Sequence, residues 1–259
     1  MNQDFINYLN VIPGMSVYFA AGMLIFLRFI GFMSLAPVFG RKDIPTILKL
    51  SFALLMTIAF VGILEPAKPP ANSSYFVLMV LNFVFGSLIG FIAQCVFAAI
   101  SAAGDMMNTQ MGLSSSMMFD PNLKTQSTIM GAFFSLMGTL IFINIGGLYW
   151  LFAAFQRSFE VFPLFSTSLP LAKIISMKYL ILLTGNVLFI GLQFAAPILI
   201  ATLGQDIILG IISKTAPQIN VFQLSFLFKP VMGVAILMII MPILINIIND
   251  YFIYFSKIY

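Results

Sequence analysis

Covalent or acid–base chemistry needs a nucleophile and a titratable partner, and this sequence holds little of either. Its 259 residues include no histidine and one cysteine. Without histidine the usual general base, the commonest metal ligand and the paired-histidine motif of zinc proteases are all missing. Cys95 lies inside an apolar run, where a thiol acts as a small hydrophobic filler, and one cysteine excludes an intrachain disulfide or a cysteine cluster. No recognisable nucleophile–base pair occurs, and no GxxxxGK[ST] loop that would cradle a nucleotide. The expectation is a chain that is not an enzyme and carries no cofactor or metal.

The residues that remain of interest are charges in apolar surroundings: Arg28, Asp105 and Asp206. A cation near the middle of a span costs about 2.5–3.5 kcal/mol on insertion scales, so Arg28 is expected to face protein or water rather than lipid. There it should meet an acid or the carbonyls at a helix C-terminus. With the kink-forming Pro197 and Pro242, the same charges would also suit a secondary transporter for a small solute. Such a transporter should show an internal repeat and polar groups converging at mid-membrane; no convincing repeat and no acidic pair in the spans is present.

These residues are set in a sequence that is 61% hydrophobic and 8% charged. Soluble domains carry about 25% charged residues, so this is an integral membrane protein whose length is used up by spans. The net charge of +4 comes from basic residues scattered singly or in pairs, which leaves no basic face for nucleic acid. The fold class expected is all-α: a polytopic helical membrane protein with about six long, kinked apolar segments in one domain covering 1–259. They run from about Met15 to Phe39, Ile44 to Leu64, Tyr75 to Ala103, Thr125 to Gln156, Tyr179 to Leu203 and Pro230 to Phe255. Before them, Met1 to Met15 lacks the features of a cleaved signal and reads as a short interfacial helix. The stretch from Gly204 to Lys229 reads as a connector too polar to span.

Several segments are too long for a simple crossing. One helix through the charge-free run Pro69–Gly104 would be about 54 Å long, against a hydrocarbon core of roughly 30 Å. Gly86 and Gly90 form a GxxxG pair that allows two helices to approach closely. Asn144 to Gly147 marks a kink in the fourth segment, and Arg157 with Glu160 marks its boundary. Basic residues divide six against five between the two sides, so the positive-inside rule selects no orientation.

Gly104 to Lys124 is the longest weakly hydrophobic break and reads as a central loop. It concentrates Met106, Met107, Met111, Met117 and Met118 around Gln110, Gly112, Leu113, Ser114, Ser115, Ser116 and Phe119. Glycine and serine weaken a helix interior, and flexible methionines can close around an irregular shape and reopen. Two readings stand: a seal, or an ordinary connector in a methionine-rich membrane chain.

Together these blocks resemble the FliR export-gate family of the bacterial flagellum and its type III secretion relatives. The likeness runs from Arg28 through Pro37 of APVFG to Ile44-Pro45 and Lys49. It continues in the central GDMMNTQMGLSSSMMFDP, ending in Asp120 and Pro121. It closes with PQINVF, which contains Pro217, Gln218, Asn220 and Phe222, with Lys229 behind. Lys214 stands where an arginine is expected, and GGLYW replaces a site where many members carry histidine. The resemblance implies a non-catalytic subunit of the flagellar export gate, needed for flagellum assembly, in the bacterial inner (cytoplasmic) membrane at the flagellar basal body. It implies FliP-like, FliQ-like and FlhB-like partners and unfolded secreted proteins as substrates. By the same implication the first four segments mimic one companion and the last two another, helical hairpins curve around a central conduit, and the central loop plugs it. Arg28, Pro37, Pro45, Asp120, Pro121, Pro217, Gln218, Asn220, Phe222 and Lys229 are then structural or assembly positions.

Overall fold

The computed structural model describes residues 15–41, 44–63, 74–113, 128–166 and 177–256, the side chains of 15–16 and 177–183 excepted. Among the described residues there are seven helices and no strand: α1 (Met15–Leu35), α2 (Thr46–Ile63), α3 (Tyr75–Gln110), α4 (Ile129–Asn144), α5 (Gly147–Val161), α6 (Met177–Thr215) and α7 (Val221–Ser256). Five are long and apolar enough to cross a membrane, or six if the α4–α5 pair is one broken span. This is the all-α polytopic architecture expected. The interfacial helix expected before Met15 lies outside the described residues.

Helix α1 ends at Leu35 rather than near Phe39, and three further boundaries differ from expectation, each for a local reason. Helix α3 does not stop at Ala103 but runs on to Gln110, so Gly104, Asp105, Met106, Met107 and Gln110 are helical rather than looped. Gly112 is what ends it: with φ +73° it takes the left-handed conformation that closes a helix. The Gly112 N–H then donates to Thr109 O (3.2 Å) and the Leu113 N–H to Asn108 O (3.1 Å). That pattern is a Schellman cap.

The segment expected from Thr125 to Gln156 is two helices separated by Ile145 and Gly146, with Gly146 at φ +78°. Its second half carries on to Val161, just beyond Arg157 and Glu160. The supposed connector Gly204–Lys229 is mostly helix as well, because α6 continues to Thr215 and α7 starts at Val221. Gln205 and Lys214 are good helix formers despite their polarity, so their low hydropathy reports the environment and not the backbone. Pro217 ends α6 instead, since the residue before a proline is pushed out of the helical region. Pro197, Pro230 and Pro242 all sit inside helices.

The chain divides into two compact units. The first comprises Met1–Gln94 and Leu151–Leu180. Within it α1 lies against α3 at backbone contact: a Cβ on Gly90 would come 2.5 Å from Phe32 O, and one on Gly86 would fall on the Arg28 carbonyl. The GxxxG pair therefore does pack a helix. Phe29, Phe60, Phe155 and Phe159 fill the space beside it, Phe29 and Phe155 with ring centroids 4.0 Å apart. The second unit comprises Cys95–Trp150 and Ile181–Tyr259. Its core is a three-ring cluster of Phe97, Phe142 and Phe252, with centroids 5.1–5.2 Å apart. Cys95 is buried in this unit.

Candidate functional site

In the first unit the chemistry gathers on Arg28, which is fully buried. Its Nε donates to Asn82 Oδ1 (3.0 Å), as does its Nη2. Nη2 also donates to Phe162 O (2.8 Å) and Nη1 to Ser158 O (3.2 Å), the carbonyls at the C-terminal end of α5. Of the two kinds of partner expected, an acid or helix-terminal carbonyls, the structure supplies the carbonyls. The partial negative charge of a helix C-terminus favours a cation there. The faces of Phe159 (4.5 Å), Phe85 (5.3 Å) and Phe162 (5.4 Å) enclose the guanidinium. Asn82 in turn donates to Leu78 O (2.8 Å) and Leu164 O (3.0 Å), which fixes its amide and presents Oδ1 to the arginine. Nη1 also reaches Ser158 Oγ (3.4 Å), so every N–H of the guanidinium is engaged.

In the second unit the end of α3 is held from two sides. Toward α4, Thr128 Oγ1 donates to Asp105 Oδ1 (2.6 Å) and accepts from the Gly131 N–H (2.9 Å), capping the α4 N-terminus. The Met130 N–H reaches Asn108 Oδ1 at 3.4 Å, and Asn108 is itself buried. Gly104 and Gly131 allow this approach, since a Cβ on Gly104 would come 2.5 Å from Met130 O. Toward α7, buried Met111 lies over Gly233: a Cβ at 233 would sit 2.6 Å from Met111 Cγ and 2.9 Å from its Cε. Lys229, one turn earlier on α7, pairs with Asp206 of α6 at 2.6 Å.

The residues expected to form a plug thus divide. Met107 and Met111 are fully buried in the packing of the second unit, Met106, Gly112 and Leu113 are half-buried, and Gln110 is exposed. Ser114, Ser115, Ser116, Met117, Met118, Phe119, Asp120 and Pro121 lie outside the described residues. Among the assembly positions, Pro37 is buried in the turn after α1 and exposed Pro45 offers its carbonyl to the Leu48 N–H (3.0 Å) at the start of α2. Lys49 Nζ donates to Arg41 O (2.9 Å). Pro217 and Gln218 are exposed in the turn between α6 and α7, and Asn220 Oδ1 accepts from the Gln223 N–H (3.2 Å) as the cap of α7. Phe222 is 73% exposed and rests edge-on against Phe226.

Sequence reasoning missed the residues that answer these: Asn82 and Ser158 for Arg28, Asn108 and Thr128 for the end of α3, Gly233 for Met111. For Asn82 a signal existed, an isolated amide in a charge-free apolar run, which should have been read as an interhelical hydrogen-bonding group. For Gly233 none did.

Long, broken apolar helices of membrane-spanning length, packed around a buried arginine, define a polytopic helical membrane protein. A family model described as bacterial export proteins, family 1, matches residues 19–254, and the chain belongs to that family. It is 28% identical over 242 residues to the flagellar biosynthetic protein FliR of Bacillus subtilis, covering 90% of this chain and 91% of that one. To FliR of Escherichia coli it is 27% identical over 221 residues, covering 84% and 83%. To the surface presentation of antigens protein SpaR of Shigella flexneri it is 28% identical over 183 residues, 69% of each.

Proposed function

We propose that this chain is a non-catalytic subunit of the flagellar type III protein export gate, helping to form and seal the conduit through which unfolded flagellar proteins leave the cell. The observation that carries the reading is family membership over nearly the whole chain, with relatives named for flagellar biosynthesis aligned along most of their length. The alternative of a small-solute transporter has no such support. The charges it would use are committed elsewhere: Arg28 to helix-end carbonyls, Asp206 to Lys229, and Asp105 to the cap of α4.

On this reading the gate sits in the inner membrane at the flagellar basal body and is shared with FliP-like and FliQ-like subunits, with an FlhB-like protein docked on it. The seal falls to the stretch following the Schellman cap, Leu113 through Phe119. Met107 and Met111 root it and Gln110 lies at its base. A plug suits that stretch because it contains serines and flexible methionines and follows a rigid post. The test is deletion of the gene in its flagellated host, with the export of flagellar proteins as readout and affinity isolation of the restored chain. Loss of export, its recovery on complementation and co-isolation of the companion subunits are expected. Undiminished export in the deletion strain would overturn the proposal.

A further inference from the structure

We infer that α5 borders water at membrane depth, so that the first unit is a wall with lipid on its α2 side and an aqueous space on its α5 side. This adds to the export-gate reading a surface of the chain at which water reaches into the membrane. What crosses there rests on that reading; the wet face does not.

The basis is a contrast between two helices packed together. Three ring pairs lay α5 along α2: Phe152 with Phe52 (centroids 6.2 Å apart), Phe155 with Phe60 (5.9 Å) and Phe159 with Phe60 (5.8 Å). Helix α2 has 18 residues and is therefore about 27 Å long, close to the roughly 30 Å of a hydrocarbon core. From Phe52 onward every exposed residue on it is apolar: Leu54, Leu55, Ile58, Ala59, Gly62 and Ile63. Acyl chains satisfy that face completely.

Helix α5 passes through the same depth with the opposite chemistry. Leu151, Phe155, Ser158 and Phe159 are buried, whereas Ala153, Gln156, Arg157 and Glu160 are exposed. Each of the other six helices exposes large apolar side chains, but between Leu151 and Glu160 α5 exposes none. A face that carries an amide, a cation and an anion, with no large apolar group beside them, fits neither lipid tails nor the apolar centre of a subunit contact. Water fits it. Lipid headgroups at the Ile63 end of α2 are the other polar neighbour within reach of Arg157 and Glu160. Ala153 tells the two apart, because it adjoins Phe152, whose partner Phe52 lies in the first half of α2.

The experiment is cysteine labelling in broken native membranes, with a charged, membrane-impermeant thiol reagent reaching both sides. Only a thiolate reacts, and hydrocarbon keeps a thiol protonated, so the rate reports water. Buried Cys95 stays in place, and the wild-type chain is the blank. Ala153→Cys and Gln156→Cys should react faster than Leu55→Cys and Ala59→Cys by an order of magnitude or more, and all four should react alike once denatured. Two positions on each helix keep the comparison decisive if one variant fails to insert. If Ala153→Cys and Gln156→Cys are as slow as the α2 pair, lipid or another subunit covers α5 and the inference is wrong. If Glu160→Cys reacts while Ala153→Cys does not, the polar contact is with headgroups, and the inference is equally wrong. Fast reaction at all four would place α2 in water and remove the wall. The labelling reads environment alone, so failure of the export-gate reading in the deletion strain would leave its result standing.

Discussion

Arg28 shows how much one side chain can fix when its shape is used fully. Nε, Nη1 and Nη2 reach an amide oxygen and two helix-end carbonyls in different directions, which a planar guanidinium can do and an ammonium cannot. Arg28→Met should therefore leave Asn82 Oδ1 and the Phe162 carbonyl bare, at about 1–3 kcal/mol for each that finds no substitute, while the Ser158 carbonyl keeps the Phe162 N–H (2.9 Å). Arg28→Lys should rescue only part of that loss. Thermal unfolding of the purified complex in detergent checks both; equal midpoints for lysine and arginine would show that charge alone matters. The cation's interior position was legible in the sequence because hydrocarbon tolerates it so poorly. Its partners were not, since they are neutral groups whose relevance comes only from folding α3 and α5 beside it.

At the level of helices, what the sequence made legible was apolar length, and what it hid was where the backbone stops. Hydropathy falls at Gly104 and at Gly204 because polar side chains begin there, yet α3 and α6 continue through Gln110 and Thr215 until Gly112 and Pro217 terminate them. Backbone geometry ends these helices, and the signals for it were a glycine followed by leucine and an alanine before proline. Close packing was readable in the same way, through Gly86 and Gly90. Gly86→Ala would drive a methyl group into the Arg28 carbonyl, and backbone cannot rotate aside as a side chain can. A loss of about 1–3 kcal/mol is expected from overpacking. Gly62→Ala in α2 meets nothing within 4 Å and should be neutral or gain up to about 1 kcal/mol from helix propensity in the isolated chain. Equal melting shifts for the two variants would remove the packing argument.

The molecule as a whole leaves apolar and polar groups uncovered together, and the combination decides what must cover them. In α1, 44% of the most hydrophobic window is buried within the chain, but in α2 only 11% is. Ile47, Leu54, Leu55 and Ile58 face outward. Lipid tails would satisfy such a surface. They would not satisfy Asn186 and Gln193 of α6, or Asn246 and Asp250 of α7, which are also exposed on membrane-length helices. Hydrocarbon offers these groups no hydrogen-bond partner, and polar side chains in spans face protein or a water-filled cavity. The chain alone should therefore be an incomplete structure. Extracted without companions it is expected to self-associate or lose helix, whereas co-expressed with the companion subunits it should elute as one species with full helix content. Size-exclusion chromatography with circular dichroism compares the two. Substituting Asn186 and Gln193 with leucine separates the causes: if these amides bind companion subunits, the double variant should lose recovery in the complex while entering the membrane at least as well as the original. If co-isolation is unchanged, those amides face water or lipid headgroups, and the argument from uncovered polar groups to obligate assembly fails.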